Sequence, residues 1–486
     1  MSFADANRAS IRVIEESTWG TTPGSGATRE VRLTSSSLSA AKETVTSDEL
    51  RADRMVSAIT ETSAMSNGDI NFEHSAGAQD EFLAAFVMGA WTRPMTRDFF
   101  KGATISVTGT SEITIAGKDV SDYLSSGRRI LLKGFVDAAN NNYFQISAVA
   151  FTAGNTVITT VETSLVVEAG TVAARLFDAN DAVVLNDATI ESTATGFNSV
   201  GTPFAAAIAA GQLKVGQKIV VDGLTGVTGT YTITALTSAT ITTSPAPTAV
   251  VAAGADVTVK GSMLRNPSAV TDIIQRKFTI ETAYNDIGQY MVQDGMVPGT
   301  FSLEVATGAI ITGTIGFEGR ATQLLQSTIL GDAGSYTVLA AQTGEVMNAT
   351  TNVGEILKDG STFGASIQSL SISGEANLRQ QAAVGSKFSK GIGAGRFNLT
   401  GSMTVYFEDE TLFNDFLNHE TVGLSFGVTD LDGQSIVYTL PAIKFSQDQI
   451  APGGIDQDVF DNVEFTAFRD PNTECMLQVD RFSPNK

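Results

Sequence analysis

Residues 68–91 read GDINFEHSAGAQDEFLAAFVMGAW, and residues 395–419 read GRFNLTGSMTVYFEDETLFNDFLNH. Each stretch opens as a strand. Ile70 and Phe72 alternate with polar neighbours, as do Phe397, Leu399, Met403, Val405 and Phe407; this two-residue period turns every second side chain toward one face. Each stretch then becomes a short helix headed by acidic residues, which suit the positive end of a helix dipole. Phe82, Leu83, Phe86 and Val87 in the first, and Leu412, Phe413, Phe416 and Leu417 in the second, share an i, i+1, i+4, i+5 spacing. That spacing lays one face of each helix on a sheet.

The likeness extends in both directions. FTIETAYNDIGQYMVQDGMVPGTFSL (278–303) parallels FGVTDLDGQSIVYTLPAIKFSQ (426–447), each a strand, an acidic turn and further strand. GAIITGTIGFEG (308–319) parallels DNVEFTAF (461–468), and the interval of 39 positions from Phe278 to Phe317 recurs from Phe426 to Phe465. Upstream, Arg51 lies 17 residues before Gly68 and Arg379 lies 16 before Gly395. One module therefore occurs twice. The copies differ after the helix: His419 to Phe426 takes seven residues, whereas Trp91 to Phe278 takes 187.

A second, louder repeat fills that gap. GRRILLKGFVDAANNNYFQI (127–146) matches GQKIVVDGLTGVTGTYTI (216–233), with Gly127, Gly134 and Tyr143 answering Gly216, Gly223 and Tyr231. Two small tandem β-domains, barrels or sandwiches, are expected there, inserted in a surface loop that tolerates length because closure entropy grows slowly. The expected division is an N-terminal arm (1–30), a first module in two pieces (31–99 and 270–345), inserted domains at 100–180 and 181–269, and a second module (346–486). The expected fold class is all-β with short flanking helices: two β-sandwich modules plus the inserted pair.

Composition narrows the function. Of the 486 residues, 42% are apolar and 17% charged, so the chain can bury several cores. No apolar run reaches the roughly 18 residues of a membrane helix, and MSFADANRAS lacks the apolar core of a secretory signal. Cys475 is the single cysteine, so no internal disulfide forms, and synthesis in a reducing cytoplasm is expected. The net charge is −21; residues 101–270 hold 10 basic against 12 acidic residues, leaving 21 against 40 elsewhere. The acidity thus belongs to the duplicated modules, which offer nucleic acid no phosphate-neutralising patch.

The ordered series SMTVYFEDETLFNDFLN, LSFGVTDLDGQSIVYTLPAIKFS and FTAFRD resembles the major tail tube protein of long-tailed bacteriophages. EESTWGTTPGSG, with Trp19, Thr21 and Pro23, followed by RLTSSSLSAAKETVTSDELRADR, resembles that family's N-terminal arm and first strands. The resemblance covers roughly residues 10–95 and 275–470 and leaves the insert outside. It implies a β-sandwich with one flanking helix, assembled into six-membered rings that stack into a hollow tube for genome DNA. With two modules per chain it implies rings of three chains with pseudo-sixfold symmetry. It further implies assembly loops, here Arg51 to Asn67 with Arg51, Arg54 and Met55, and Arg379 to Gly395 with Arg379, Lys387, Lys390 and the adjacent Arg396. Implied partners are other copies of the chain and the tail terminator, tape measure and distal tail proteins. DNA would slide through without specific binding, no membrane is involved, and the location is the virion tail after synthesis in the host cytoplasm. Rival readings are a surface adhesin or carbohydrate-binding β-protein and the tube of a contractile injection system.

Catalytic, cofactor and metal sites are not expected. His74 and His419 occupy different places in the two copies, and Cys475 has no basic neighbour in sequence. DLDG (430–433) lacks the continuation of a calcium loop and suits a hairpin turn. GIGAG (391–395) precedes a strand rather than the helix a dinucleotide loop needs. Glu408, Asp409 and Glu410 head a helix, which accounts for them without chemistry. Trp91 suits a core plug better than a sugar platform.

Overall fold

The computed structural model describes residues 3–227, 229–254, 256–331, 335–452 and 454–486. Among them, strands dominate. One 19-strand network carries the duplicated modules and two seven-stranded sheets carry the insert. Eight strands of the network, labelled here in chain order, form one continuous antiparallel run. They are β1 (Ser39–Thr46), β2 (Ile59–Glu73), β3 (Gln289–Ala306), β4 (Thr312–Gly319), β5 (Ile367–Glu375), β6 (Asn398–Tyr406), β7 (Ser435–Ala451) and β8 (Phe460–Ala467). Their spatial order is β1-β2-β4-β3-β5-β6-β8-β7. The order 1-2-4-3 thus occurs twice, end to end.

The correspondence holds at the level of single residues. Gly68 lies opposite Phe317 in the first module, and Gly401 lies opposite Phe465 in the second. Thr314 donates to Asn71 Oδ1 at 2.7 Å, and Thr404 donates to Asn462 Oδ1 at 3.1 Å, the same two positions with the donor exchanged. The strand register therefore moves the sequence alignment by six residues: Gly68 corresponds to Gly401, not Gly395. Alternation alone cannot separate the two settings, because a shift by an even number of residues keeps the same faces inward.

Long strands β3 and β7 serve two layers each. The first half of β3 pairs with Phe278–Tyr284, and the first half of β7 with Val422–Thr429. A bulge then breaks each strand, between Pro298 and Thr300 and between Phe445 and Gln447, and the second half joins the eight-stranded run. Bulges turn strands in this way. The outer layer of the first module adds Ala9–Glu15 and Gly26–Val31; that of the second adds Val353–Lys358 and Gln478–Phe482. A single buried cluster fills both sandwiches.

Helix Asp80–Phe86 buries Phe82, Leu83 and Phe86. Phe82 meets Phe278 and Phe317 edge-on, while Phe86 touches Phe301 of the first module and Phe397 of the second. The helix therefore plugs the seam between modules. Gly374 makes that fit possible, since a Cβ there would sit 2.6 Å from Phe86 Cζ. Gly374→Ala is expected to cost about 1–3 kcal/mol by overpacking, measured by denaturant unfolding of the dispersed subunit.

The two small sheets share one strand order. Phe99–Lys101, Arg175–Asp178, Arg129–Lys133, Tyr143–Thr152, Asn155–Thr160, Glu112–Ala116 and Ile105–Gly109 correspond in place to 182–187, 257–260, 218–222, 230–236, 240–244, 196–199 and 190–193. Each has its own core. Strand Ser262–Arg265 leads back from the insert and pairs with Gln478–Phe482 of the outer layer. Beyond that strand, Lys260 Nζ, fully buried, donates to Ser483 O, Pro484 O and Asn485 Oδ1 at 2.7, 2.9 and 2.6 Å. The insert is thus anchored on the outer layer of the second module.

Candidate assembly edges and channel face

The eight-stranded run has one face against the core and one away from it. Phe301, Leu303 and Val305 of β3 point to the core, so Thr300, Ser302 and Glu304 point away. Leu370, Ile372 and Gly374 of β5 do the same for Ser369, Ser371, Ser373 and Glu375. The outward face is therefore mostly Ser, Thr and Asn, with carboxylates from Glu43, Asp69, Glu73, Glu304, Glu318, Glu375 and Glu464, and with Met65 and the Tyr406–Phe460 ring pair as its apolar part. Among the described strand residues of this face Lys444 is the only cation, and its Nζ donates to His419 O at 2.7 Å. Hydroxyls on this face bond one another: Ser371 and Ser402 are 2.8 Å apart. A smooth, hydrated surface of this kind repels a polyanion and offers it nothing to hold.

Both ends of the run are open. β1 pairs on one side with β2, and among the described residues no strand pairs with its other edge. Past the bulge, β7 pairs with β8, and among the described residues no strand pairs with its other edge. Between these ends, β3 pairs with β5 over Thr300–Ala306 and Ser369–Glu375, in seven consecutive residue pairs. Since β3 corresponds to β7 and β5 to β1, the two open edges are the counterparts of the two strands that the internal seam joins. An open edge is a template for another strand.

Helix Thr411–Leu417, the counterpart of the seam helix, buries only Leu412. Leu417 is 61% exposed and Phe413 is 36% exposed. In the first module the same face is covered by the following module, through Phe86 on Phe397.

The residues expected in assembly loops are in several settings. Arg51 grips Asp53 through Nε and Nη2 at 3.0 and 2.7 Å, in the exposed connection between β1 and β2. Arg54 takes φ 60° in that connection, and Met55, Val56 and Leu50 are exposed. The second loop lies on its own chain. Arg379 and Gln380 pair with Gly393 and Ile392. Lys390 N donates to Gln381 O, and Lys387 O accepts from Ala64 N at 2.9 Å. Lys387 Nζ reaches Glu61 at 3.5 Å, and Arg396 donates to Asn398. Of the arm, Trp19 Nε1 donates to Gly295 O at 3.0 Å, Thr21 N donates to Thr18 O, and Pro23 O accepts from the Tyr336 hydroxyl.

The residues weighed for chemistry have structural settings. Asp430 Oδ1 accepts from Gln434 N at 2.8 Å in a hairpin turn closed by Gly433 at φ 90°. Asp409 Oδ1 accepts from Thr411 N at the helix start. Trp91 donates to Asp80 O and packs on the core, and Cys475 is buried. Among the described residues no cluster of three or more His, Cys, Asp or Glu could hold a metal ion, and no helix is long and apolar enough to cross a membrane.

Two features escaped sequence reasoning: the open edges and the hydroxyl face. The second had a signal, the alternation TFSLEV (300–305) and SLSISGE (369–375), in which every second residue is polar and small. No curated protein matches the chain. A family model described as phage tail tube protein matches it twice, over residues 6–273 and 247–467. The first match runs through the insert and the second begins within it, together they span most of the chain, and the chain belongs to the phage tail tube protein family.

Proposed function

We propose that copies of this chain join head to tail, open β7 edge to open β1 edge, into rings of three that stack as the tube through which genome DNA leaves the virion. The observation that carries this reading is the β3·β5 seam, an internal copy of the joint required between chains. Head-to-tail contacts that repeat the same rotation close into rings. Three chains of eight strands give about 24 strands; at about 4.8 Å each, the circumference is about 115 Å and the backbone diameter about 37 Å before strand tilt widens it. That bore admits a DNA duplex, and the carboxylate and hydroxyl face lines it. The under-covered helix Thr411–Leu417 would be buried by the next chain, as Asp80–Phe86 is by the next module.

The role is structural, without catalysis. The division into arm, two modules and two inserted domains is part of the same reading, with the arm and the loops around Arg51 and Arg379 as ring-to-ring contacts. The inserted pair leaves from the outer layer and projects outside the tube. Tail terminator, tape measure and distal tail proteins are the partners at the ends and in the bore. Negative-stain microscopy with light scattering tests this. Threefold rings or hollow tubes with three chains per ring are expected; six chains per ring, or monomers at high concentration, would sink the proposal.

A further inference from the structure

The joint between chains differs chemically from the seam within one. Both are read from strand register. Phe301 faces Ile315 of β4, and Asp448 faces Val463 of β8, the corresponding position, so Asp448 stands where Phe301 does. Leu303 faces Gly313, and Ile450 faces Asp461, so Asp461 stands where Gly313 does. An apolar pair at the internal seam has become two carboxyl groups at the open edge. Asp461 is 2% exposed, and Asp448 Oδ1, Asp448 Oδ2 and Asp461 Oδ1 are buried without hydrogen-bond partners. Burial, with each carboxyl against the other, pushes Asp461 up to about 7. A buried carboxyl pair closed only on itself loses its proton readily when a cation is brought against it.

The opposite edge supplies one. Ser39 faces Asn67 in β1·β2, and Ser373 faces Thr400 in β5·β6, so Ala40 corresponds to Gly374 and Lys42 to Ala376. Phe301 lies opposite Gly374 at the seam. The same register between chains sets Asp448 opposite Ala40 of the next copy and Gln449 opposite its Ser39. Lys42 then lies two residues along on the same face, a diagonal that long side chains bridge. In the single chain Lys42 is largely exposed and only 3.6 Å from Glu61. At the seam its counterpart Ala376 is buried. Phenylalanine and alanine within the chain thus become aspartate and lysine between chains.

We infer that Lys42 of one copy closes on Asp448 of its neighbour, the edge member of the Asp448–Asp461 carboxyl pair, making the joint between chains an ion pair where the seam within the chain is apolar. This rests on the ring reading above. The pair also gives the ring joint a polarity, since the carboxyls are on the β7 side and the lysine on the β1 side.

The test uses the full chain and two independent readouts. Lys42→Glu and Asp448→Lys are each expected to lower the yield of rings and tubes at least about tenfold, through like charges left facing at the joint. Combining them in one chain, so that each joint again has opposite charges, restores assembly. Lys42→Gln, which cannot misplace a negative charge, should give the same loss in weaker form. Separately, Ser39→Cys with Gln449→Cys reports the strand register by forming a disulfide-linked ring. If that disulfide forms but Lys42→Glu assembles like the parent, the ion pair is overturned and the ring reading stands. Tubes that form without the disulfide would overturn the register, and with it both readings.

Discussion

Arg481→Met is expected to destabilise the subunit by about 3–5 kcal/mol, the range for removing one partner of a buried ion pair. Arg481 is 1% exposed, and its Nη1 pairs with Asp80 Oδ2. Asp80 opens the seam helix in the first module, whereas Arg481 belongs to the strand Gln478–Phe482 of the second. The pair thus crosses the seam beneath the insert's return strand. Its cost is visible: Arg481 Nε and Nη2 lack partners. Methionine would leave Asp80 buried and charged with nothing to offset it. The paired replacement Arg481→Met with Asp80→Leu should recover most of the loss, since a well-packed apolar pair is often no worse than the ion pair it replaces. Guanidinium unfolding of dispersed subunits measures both. A double variant as unstable as the single would mean that packing of the long side chain against the strand and against Gly77, whose lack of a Cβ leaves room for the Arg481 guanidinium, sets the cost and the unpaired charge does not.

The duplication was legible because core spacing survives in sequence. Phe278, Phe317, Phe426 and Phe465 are all buried and lie on equivalent strands, and Phe317 and Phe465 hold equivalent positions. Strand register sets Phe278 with Val422, so the equal intervals found the strands but missed that position by four residues. The helix faces were legible for the same reason, although Phe413 and Leu417 proved exposed while their counterparts are buried. Sequence spacing reports the face a residue takes, not whether a neighbour covers it. The position of the insert followed from counting residues between the helix and the next strand. Register did not follow, and Gly68 was matched to Gly395 instead of Gly401. The seam was illegible: Thr300–Ala306 and Ser369–Glu375 are far apart in sequence, and their pairing is decided by tertiary packing. Both strands carry the bulge at equivalent places, and the exchange of Phe301 for Asp448 was illegible because an aspartate breaks the apolar alternation by which the two strands would be aligned.

His74 provides the other large effect, and its sign depends on which state binds the proton. The ring lies in the seam near Tyr438, is 2% exposed, and neither ring nitrogen has a hydrogen-bond partner. Burial holds its pKa down to about 4, from an ordinary value of 6.5. Above pH 6.5 both folded and unfolded chains carry it neutral, and it has no effect on pH dependence. Below that, the unfolded chain takes up the proton first, so stability falls until the folded chain protonates near pH 4. The loss is about 3 kcal/mol over that window. Buried Asp480 and Asp461, pushed up to about 7, act in the opposite direction, because the folded chain binds their protons first as the pH falls. The raw pH profile of the protein therefore mixes both signs. The difference between His74→Leu and the parent isolates one group: the variant should gain about 3 kcal/mol on the parent between pH 7.5 and pH 4, read from denaturant midpoints of dispersed subunits. A difference that stays flat across that range would show that the histidine is reached by solvent or finds a partner, and that the seam around it opens in solution.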